Sequence, residues 1–285
     1  MSAQGALFSI ERLEIFTNCY GRFGVEAAIA HVPTIGVAAL EVALKPHGGL
    51  LEIPESVVAS EKMSAEAVAG LKATLAQHGV RPTTTNGLQH IMTPEGFETT
   101  KSRINLAQAL GAKVMTGSAD HVPEEQRRAL YDRLVQLADY AGERGITFAL
   151  ETHPGITQNA DAMLRAMRDL QHSGIRINFD TANVYYHNEG MQDGEAELER
   201  VAEYVTHLHL KDCRRGYHDW YFPALGEAGG VDFMHVGRIL KDAGFQGQMS
   251  IELEGIKGEP EPTLEERQAR VARSVDYLRD IGFVG

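Results

Sequence analysis

The stretch Glu143-Arg-Gly145-Ile-Thr-Phe148 joins a helical segment to a short apolar one, and the chain repeats this pattern. Similar junctions lie at 77–82, 109–114, 172–177 and 242–247. A glycine directly after a helix adopts the left-handed conformation at no steric cost, so each junction marks a turn from helix to strand. Alternating helices and strands are typical of a parallel sheet.

The segments between these junctions predict a TIM barrel. In 123–143, Leu130, Leu134, Leu137 and Ala141 fall on one face at helical spacing. Eight strands are predicted at 13–18, 38–44, 82–87, 113–118, 147–153, 176–181, 205–211 and 249–254. Eight βα units in roughly 250 residues predict a single α/β domain over 1–285, a (β/α)8 TIM barrel. The alternative, an open doubly wound sheet, needs a glycine-rich phosphate turn after the first strand, and 18–24 is a poor one.

Composition narrows the class of protein. The formal net charge of -12 disfavours nucleic acid as a partner, because such binding needs a clustered basic surface. Two cysteines indicate no disulfide framework. No signal peptide is recognisable, and no apolar run approaches the ~20 residues that span a bilayer. We therefore expect a cytoplasmic enzyme with no membrane partner.

The last four predicted strands carry polar side chains on their inward faces. Alternate residues of a barrel strand point inward, and the carboxyl ends of the strands form the active site. On this parity the inward residues include Glu151 with His153, Asp180, His207 with His209 and Lys211, and Glu252 with Glu254. Three carboxylates in one cavity repel each other unless a cation balances them. The set Glu151, Asp180, His209 and Glu252 therefore predicts one divalent ion, with Mn²⁺, Mg²⁺ and Co²⁺ as suitable ions.

Each residue also has an ordinary structural interpretation. A single acidic residue at a strand end is commonly a helix cap or an ion-pair partner. His207, one pleat deeper, could be a hydrogen-bonded core histidine, and Lys211 could simply balance carboxylates. The metal hypothesis depends on four such residues sharing one parity on neighbouring strands.

These residues resemble the motifs of the xylose isomerase-like TIM barrel superfamily, which includes sugar isomerases, ketose 3-epimerases, inosose dehydratases and endonuclease IV. The matching motifs are Leu150-Glu151, Phe179-Asp180-Thr181, His207-Leu-His209, Ser250-Ile-Glu252 and the glycine-rich Leu225-Gly-Glu-Ala-Gly-Gly-Val-Asp-Phe233. The resemblance to the epimerases implies that the four predicted ligands bind one divalent metal, most commonly Mn²⁺ or Co²⁺. It also implies that Glu151 and Glu252 transfer protons and that Arg215 binds substrate.

Two departures weaken the epimerase assignment. Asn183 stands where the epimerases carry a histidine, and Thr157 where they carry a glutamate. His153 is an additional candidate acid or base near neutral pH. The expected function is a sugar isomerase or epimerase that enolises a keto-sugar or keto-glycoside. The alternative is a lyase that eliminates a group β to the ketone, like the inosose dehydratases or a C-deglycosidase subunit that needs a second chain.

Two further classes of protein are compatible with the sequence. An endonuclease IV-like activity is remote, because the histidine missing at Asn183 is a ligand there and the chain is acidic. A barrel that acts only with a partner subunit is the third class. We expect a small sugar or glycoside as substrate, with Arg215, Lys211, Asn183 and His207 as its contacts, and a homo-oligomer or two-subunit assembly.

The sequence leaves the roles of two predicted loops open. The glycines of 226–230 could bind a phosphate or form a plain turn, and Arg215 could be a solvated loop charge. The aromatic run 217–222 could stack on a sugar or aglycone, cover the site, form a subunit contact, or pack locally.

Overall fold

Eight parallel strands close into a barrel in the computed structural model, which describes residues 5–44, 59–88 and 90–285. The strands follow each other in chain order around the barrel, and the last pairs with the first. They are β1 Leu13–Phe16, β2 Ala39–Ala43, β3 Arg81–Asn86, β4 Val114–Gly117, β5 Thr147–Glu151, β6 Ile175–Asp180, β7 Val205–Leu210 and β9 Gln248–Ile251. The TIM barrel predicted from the junctions is confirmed.

Helices between the strands cover the barrel. They are α1 Gly24–His31, α2 Ala65–Gln77, α3 Pro94–Leu110, α4 Arg127–Gly142, α5 Ala160–Leu170, α6 Asn183–Tyr186, α7 Gly194–Val201, α8 Phe233–Asp242 and α9 Leu264–Asp280. Short polar residues such as Ser64, Thr93 and Asn159 cap the first turns by accepting backbone N–H bonds. The apolar face predicted in 123–143 is buried in α4, after one 3₁₀ turn at Glu124–Gln126. Among the described residues, no helix is both long and apolar enough to cross a membrane.

Several predicted strands end earlier than expected at their carboxyl ends. The last barrel strand was predicted to reach residue 254, but its pairing stops at Ile251. The chain then enters a two-stranded antiparallel ribbon in which β10 Gly255–Ile256 pairs with β8 Tyr221–Phe222. The ribbon was not predicted, and it places the aromatic run and the residues after Glu252 side by side at the barrel mouth.

A pair of glycine substitutions tests the packing of the barrel wall. A Cβ on Gly247 would lie 1.9 Å from the carbonyl oxygen of Thr206. We expect Gly247→Ala to lower the free energy of unfolding by about 1–3 kcal/mol, because backbone would have to move. Gly70, inside α2 with open space around it, is the matched control.

Gly70→Ala should instead raise the free energy of unfolding by about 0.5–1 kcal/mol, because alanine is the better helix former. Urea unfolding of both variants measures the two effects. Changes of the same sign in both variants would contradict the close approach at Gly247.

Candidate metal centre

Four side chains converge at the carboxyl end of the barrel. They come from the ends of β5, β6 and β7 and from the residue after β9: Glu151, Asp180, His209 and Glu252. One ligand atom from each lies within 4.8 Å of the others, and all four residues are buried. His209 Nδ1 is 3.0 Å from Glu252 Oε2 and 3.5 Å from Glu151 Oε1. The structure thus brings together the four residues chosen by strand parity, and metal binding by them stays a prediction.

The donor atoms of this cluster fit a cation. Asp180 Oδ2 and His209 Nδ1 are buried without an aligned hydrogen-bond partner. So is Oδ1 of Asn18, whose amide nitrogen donates to Glu252 Oε1 at 2.7 Å. Buried polar atoms are normally hydrogen-bonded, so Asp180 Oδ2 and His209 Nδ1, both unpartnered in one cluster, are available to a cation. Carboxylate oxygens with one imidazole suit Mn²⁺, Mg²⁺ or Co²⁺.

The cluster perturbs the acidity of its members. Burial raises the pKa of Asp180 to about 7, and the neighbouring Glu252 carboxylate adds to the effect. Burial alone would raise the pKa of Glu252, but Lys211 and His209 outweigh it and hold that pKa well below its usual value. For His209 the effect of burial has the opposite sign and would lower the pKa. The Glu41 and Glu252 carboxylates outweigh burial and raise the pKa of His209 well above its usual value. Without a metal, protons partly balance the buried carboxylates.

A second polar layer lies below the cluster and orients it. His209 Nε2 is 2.9 Å from Glu41 Oε2, and the Thr116 hydroxyl donates to the other Glu41 oxygen. Both partners are on the inner face of the barrel and are fully buried. A carboxylate on the far nitrogen fixes the ring and leaves Nδ1 directed at the cluster, as in many metal-binding histidines.

His207 belongs to this lower layer. Its Nδ1 is 2.9 Å from Asn178 Oδ1, and its Nε2 is 2.6 Å from Glu14 Oε1. Both ring nitrogens are therefore occupied in a fully buried position. The expected substrate contact of His207 does not match this placement. The hydrogen-bonded core interpretation does, because the ring has no free nitrogen.

Lys211 and Asn183, two expected substrate contacts, do lie at the cluster. Lys211 Nζ is 3.2 Å from Asn183 Oδ1, 3.5 Å from Glu252 Oε2 and 3.6 Å from Asp180 Oδ2, and it also contacts Glu254. Burial alone would lower the pKa of Lys211, but the surrounding carboxylates, Glu252 first, raise it well above its usual value. Asn183 also donates to Glu151 Oε1 at 3.4 Å. A cation and an amide thus face any molecule at this site.

His153 lies at the outer side of the cluster. Its Nδ1 is 3.6 Å from Glu151 Oε1 and has no hydrogen-bond partner, while its side chain is one-third exposed. The ring lies 5.1 Å from that of His187, whose pKa is lowered to about 3 by burial and by the charge of His153. His153 can therefore reach both the cluster and a molecule that enters from solvent.

Thr157, at the other epimerase departure, has a structural contact. Its hydroxyl donates to the Glu151 carbonyl oxygen at 2.5 Å and so anchors the turn after β5.

The structure does not bring Arg215 into the cluster. Its guanidinium forms an ion pair with Glu195 at 3.2 Å, donates to the Gln192 carbonyl oxygen at 3.2 Å, and also donates to the Gly230 carbonyl oxygen. These three partners hold the side chain along the loop. The expected role of Arg215 as a substrate contact therefore finds no support in its placement.

The glycine-rich loop already holds an anion from the chain itself. Backbone N–H groups of Gly226, Ala228, Gly229, Gly230 and Val231 donate to the Asp212 carboxylate at 2.9–3.4 Å. Such a nest of N–H groups binds phosphate when it is empty. Here an internal carboxylate fills it, which favours the turn over the phosphate site.

Sequence reasoning missed the acidic residues of the first two strands. Glu14 interrupts an apolar run in β1, and Glu41 does so in β2. The signal was the same period-two alternation that identified the cluster, but it was applied only to the last four strands. Asn18, just after β1, carried no comparable signal.

The fold and cluster together define a (β/α)8 protein with a candidate metal site at the carboxyl ends of its strands. A family model described as the xylose isomerase-like TIM barrel matches residues 29–281, so the chain belongs to that family. The resemblance inferred from the motifs is confirmed.

Known relatives include enzymes that act on sugars or inososes by name. An inosose dehydratase of Erwinia tasmaniensis is 30% identical over 158 residues, which are 50% of this chain and 53% of that protein. The chain thus spans about half the length of that relative. The D-psicose 3-epimerase of Clostridium cellulolyticum H10, solved with D-tagatose, has a TM-score of 0.73 at 15% identity and covers 95% of this chain and 99% of its own.

A second solved structure is a xylose isomerase-like TIM barrel protein from Mycobacterium smegmatis in complex with magnesium. It has a TM-score of 0.71 at 14% identity and covers 97% of this chain and 98% of its own. At these identities the structural likeness establishes the fold alone.

Removing the charge behind His209 tests the second layer. We expect Glu41→Gln to weaken Mn²⁺ binding by about 10–100-fold, because losing an outer carboxylate typically costs a metal site that much. Calorimetric titration of Mn²⁺ measures the effect, and Glu11→Gln is the matched control on an exposed glutamate. Equal affinities in the two variants would contradict an orienting role for Glu41.

The pKa shifts also predict how Mn²⁺ affinity depends on pH. Asp180, with a pKa of about 7, and His209, with a raised pKa, must both lose a proton before they can bind a metal. Affinity should therefore rise with pH through neutrality, by at least about tenfold per unit below pH 7. Titrations in buffers of different ionisation enthalpy count the released protons. Affinity that is constant between pH 5.5 and 7 would contradict these shifts.

Proposed function

We propose that the protein is a divalent-metal-dependent enzyme that removes the proton next to the ketone of a keto-sugar or related keto-polyol. The cluster of Glu151, Asp180, His209 and Glu252 carries this proposal, because its four buried ligand atoms lie within 4.8 Å of one another and two of its side chains have an atom without a hydrogen-bond partner. A divalent ion held there would polarise the ketone and stabilise the negative charge that develops on its oxygen. Proton transfer and substrate binding would be carried out by side chains of the protein.

Two carboxylates are suited to accept the proton. Burial raises the pKa of Glu151, but His153 and His209 outweigh it and bring the pKa to about 2. Glu252 also has a lowered pKa, so both groups are ionised at neutral pH. Lys211, 3.5 Å from Glu252, offers a positive charge to substrate oxygens. Asn183 would orient a hydroxyl between Glu151 and Lys211.

We further propose that the reaction ends in elimination. A carboxylate takes the α-proton, the carbon–oxygen bond at the β position breaks, and the leaving oxygen departs with a proton from His153. The products are an enone and water or an alcohol. His153 supports this outcome, because its Nδ1 lies free beside Glu151 while the ring remains partly open to solvent. The 30% identity to an inosose dehydratase points the same way.

Epimerisation is the second candidate. Glu151 ends β5 and Glu252 directly follows β9, two strands that are not adjacent, and both residues place a carboxylate at one cluster. If they contact opposite faces of the substrate carbon, the proton removed by one carboxylate can return from the other. This outcome needs no acid at the leaving group.

Proton NMR in D₂O separates the outcomes. The Mn²⁺-loaded protein would be incubated with ketohexoses, inososes and 3-keto-glycosides. Deuterium beside the carbonyl without loss of a substituent would establish epimerisation or isomerisation, and an enone with released water or alcohol would establish elimination. Absence of exchange on every ketone, with metal bound, would overturn the proposed function for the chain acting alone.

Two variants assign the roles. Glu252→Gln should lower both Mn²⁺ content and deuterium exchange by at least about 100-fold, because a ligand and a base are lost together. Wild-type metal content and turnover in this variant would contradict both roles of Glu252, as a metal ligand and as a base.

His153→Gln should keep deuterium exchange but slow elimination by about 100-fold or more, because the leaving group loses its acid. His78→Gln, at an exposed histidine after α2, is the control. Equal loss of exchange and elimination in His153→Gln would contradict the acid role.

A further inference from the structure

A cavity of about 440 Å³ lies beside the cluster and is not used by the proposed chemistry. Its wall includes Tyr186, Trp220, Glu254, Ile256, Glu259 and Arg267. The segments that carry these residues follow the carboxyl ends of β6, β7 and β9. The cavity therefore opens at the same end of the barrel as the cluster.

One lysine separates the cavity from the cluster. Glu254, in the cavity wall, contacts Lys211 Nζ. The same Nζ is 3.5 Å from Glu252 Oε2 and 3.6 Å from Asp180 Oδ2. The cavity and the cluster are thus joined by the contacts of a single side chain.

Packing and a backbone hydrogen bond hold the aromatic residue Trp220 at the cavity wall. The ring of Trp220 packs edge-to-face on Tyr186 at 5.7 Å and on Phe222 at 5.1 Å. The backbone N–H of Lys257 donates to the Trp220 carbonyl oxygen at 2.9 Å, so the ribbon holds this residue at the wall. Trp220 is only partly buried, and a rigid indole offers a flat apolar face to another ring.

The wall also contains charged side chains, which are paired within the chain. Arg267 donates to Glu261 Oε1 at 2.8 Å and to the Cys19 carbonyl oxygen at 3.2 Å, while its Nε is buried without a partner. Glu259 accepts two bonds from Arg270, at 2.7 and 2.8 Å. The wall is therefore polar as well as aromatic, which suits a ring with hydroxyls along its edge better than a purely apolar group.

We propose that the cavity is a subsite for a second ring, so that the substrate is a glycoside and not a free monosaccharide. The proposal rests on the proposed function: the keto-sugar ring would lie at the cluster and the second ring against Trp220. That ring has one flat apolar face and hydroxyls at its edge, as in a sugar or a phenolic aglycone. A volume of about 440 Å³ is within the range of ligand pockets, about 300–1,000 Å³, without counting the cluster.

Tryptophan fluorescence tests the subsite without any turnover. Trp220 is the single tryptophan of the chain, so its emission reports on the surroundings of this one residue of the cavity wall. Cellobiose carries a sugar as its second ring, arbutin carries a phenolic aglycone, and methyl β-D-glucoside has no second ring. We expect at least one two-ring ligand to change the emission and bind about tenfold or more tighter than methyl β-D-glucoside. Which of the two responds identifies the kind of ring.

Equal responses to all three ligands, or none, would overturn the subsite. The titrations would be run with and without Mn²⁺, so that binding at the cavity is measured separately from the state of the cluster.

Variants of Trp220 connect the subsite to turnover. With the 3-keto derivative of the two-ring ligand as substrate, Trp220→Ala should raise KM about tenfold or more with little change in kcat. Trp220→Phe should have a KM close to that of the wild type. On 3-keto methyl glucoside both variants should match the wild type. Tyr140→Ala, a lost ring in α4 away from the cavity wall, is the matched control.

The two proposals fail in different ways. Equal losses on one-ring and two-ring ketones in Trp220→Ala would overturn the subsite and leave the proposed function standing. Absence of deuterium exchange on every ketone would overturn the proposed function, and the fluorescence titration would still decide whether the cavity binds a second ring.

Discussion

The buried negative charge at the mouth of the barrel is the constraint on which the site depends. Glu151, Asp180 and Glu252 lie with one His209 nitrogen within 4.8 Å, and all four residues are buried. Like charges in such surroundings cannot all remain ionised without a nearby cation. The raised pKa of Asp180, the charged Lys211 and the unpartnered donor atoms all follow from that condition.

The polar layer below the cluster orients the side chains of the site. Glu41 fixes the ring of His209, while Asn178 and Glu14 occupy His207. Each of these groups is fully buried. Buried polar networks are stable only when their members are satisfied, so the interior of this barrel specifies the orientation of the site.

The loops beyond the strands decide what the site can accept. Asp212 closes the glycine-rich loop by filling its N–H groups, and Glu195 holds Arg215 along the chain. These contacts hold the loop in place with charges of the chain itself. The one-third exposed His153 and the cavity beside Trp220 remain open at the mouth, and the buried Lys211 lies between that cavity and the cluster.

The barrel and the four residues of the cluster could be predicted from the amino-acid sequence. Both follow from local patterns: a glycine after each helix, and alternation along strands that end at one edge. The Glu14–His207 pair, the carboxylate in the glycine-rich loop and the cavity are visible only in the folded chain. Those contacts join residues far apart in the chain, 193 positions in the case of Glu14 and His207, and no local period encodes which distant groups will meet.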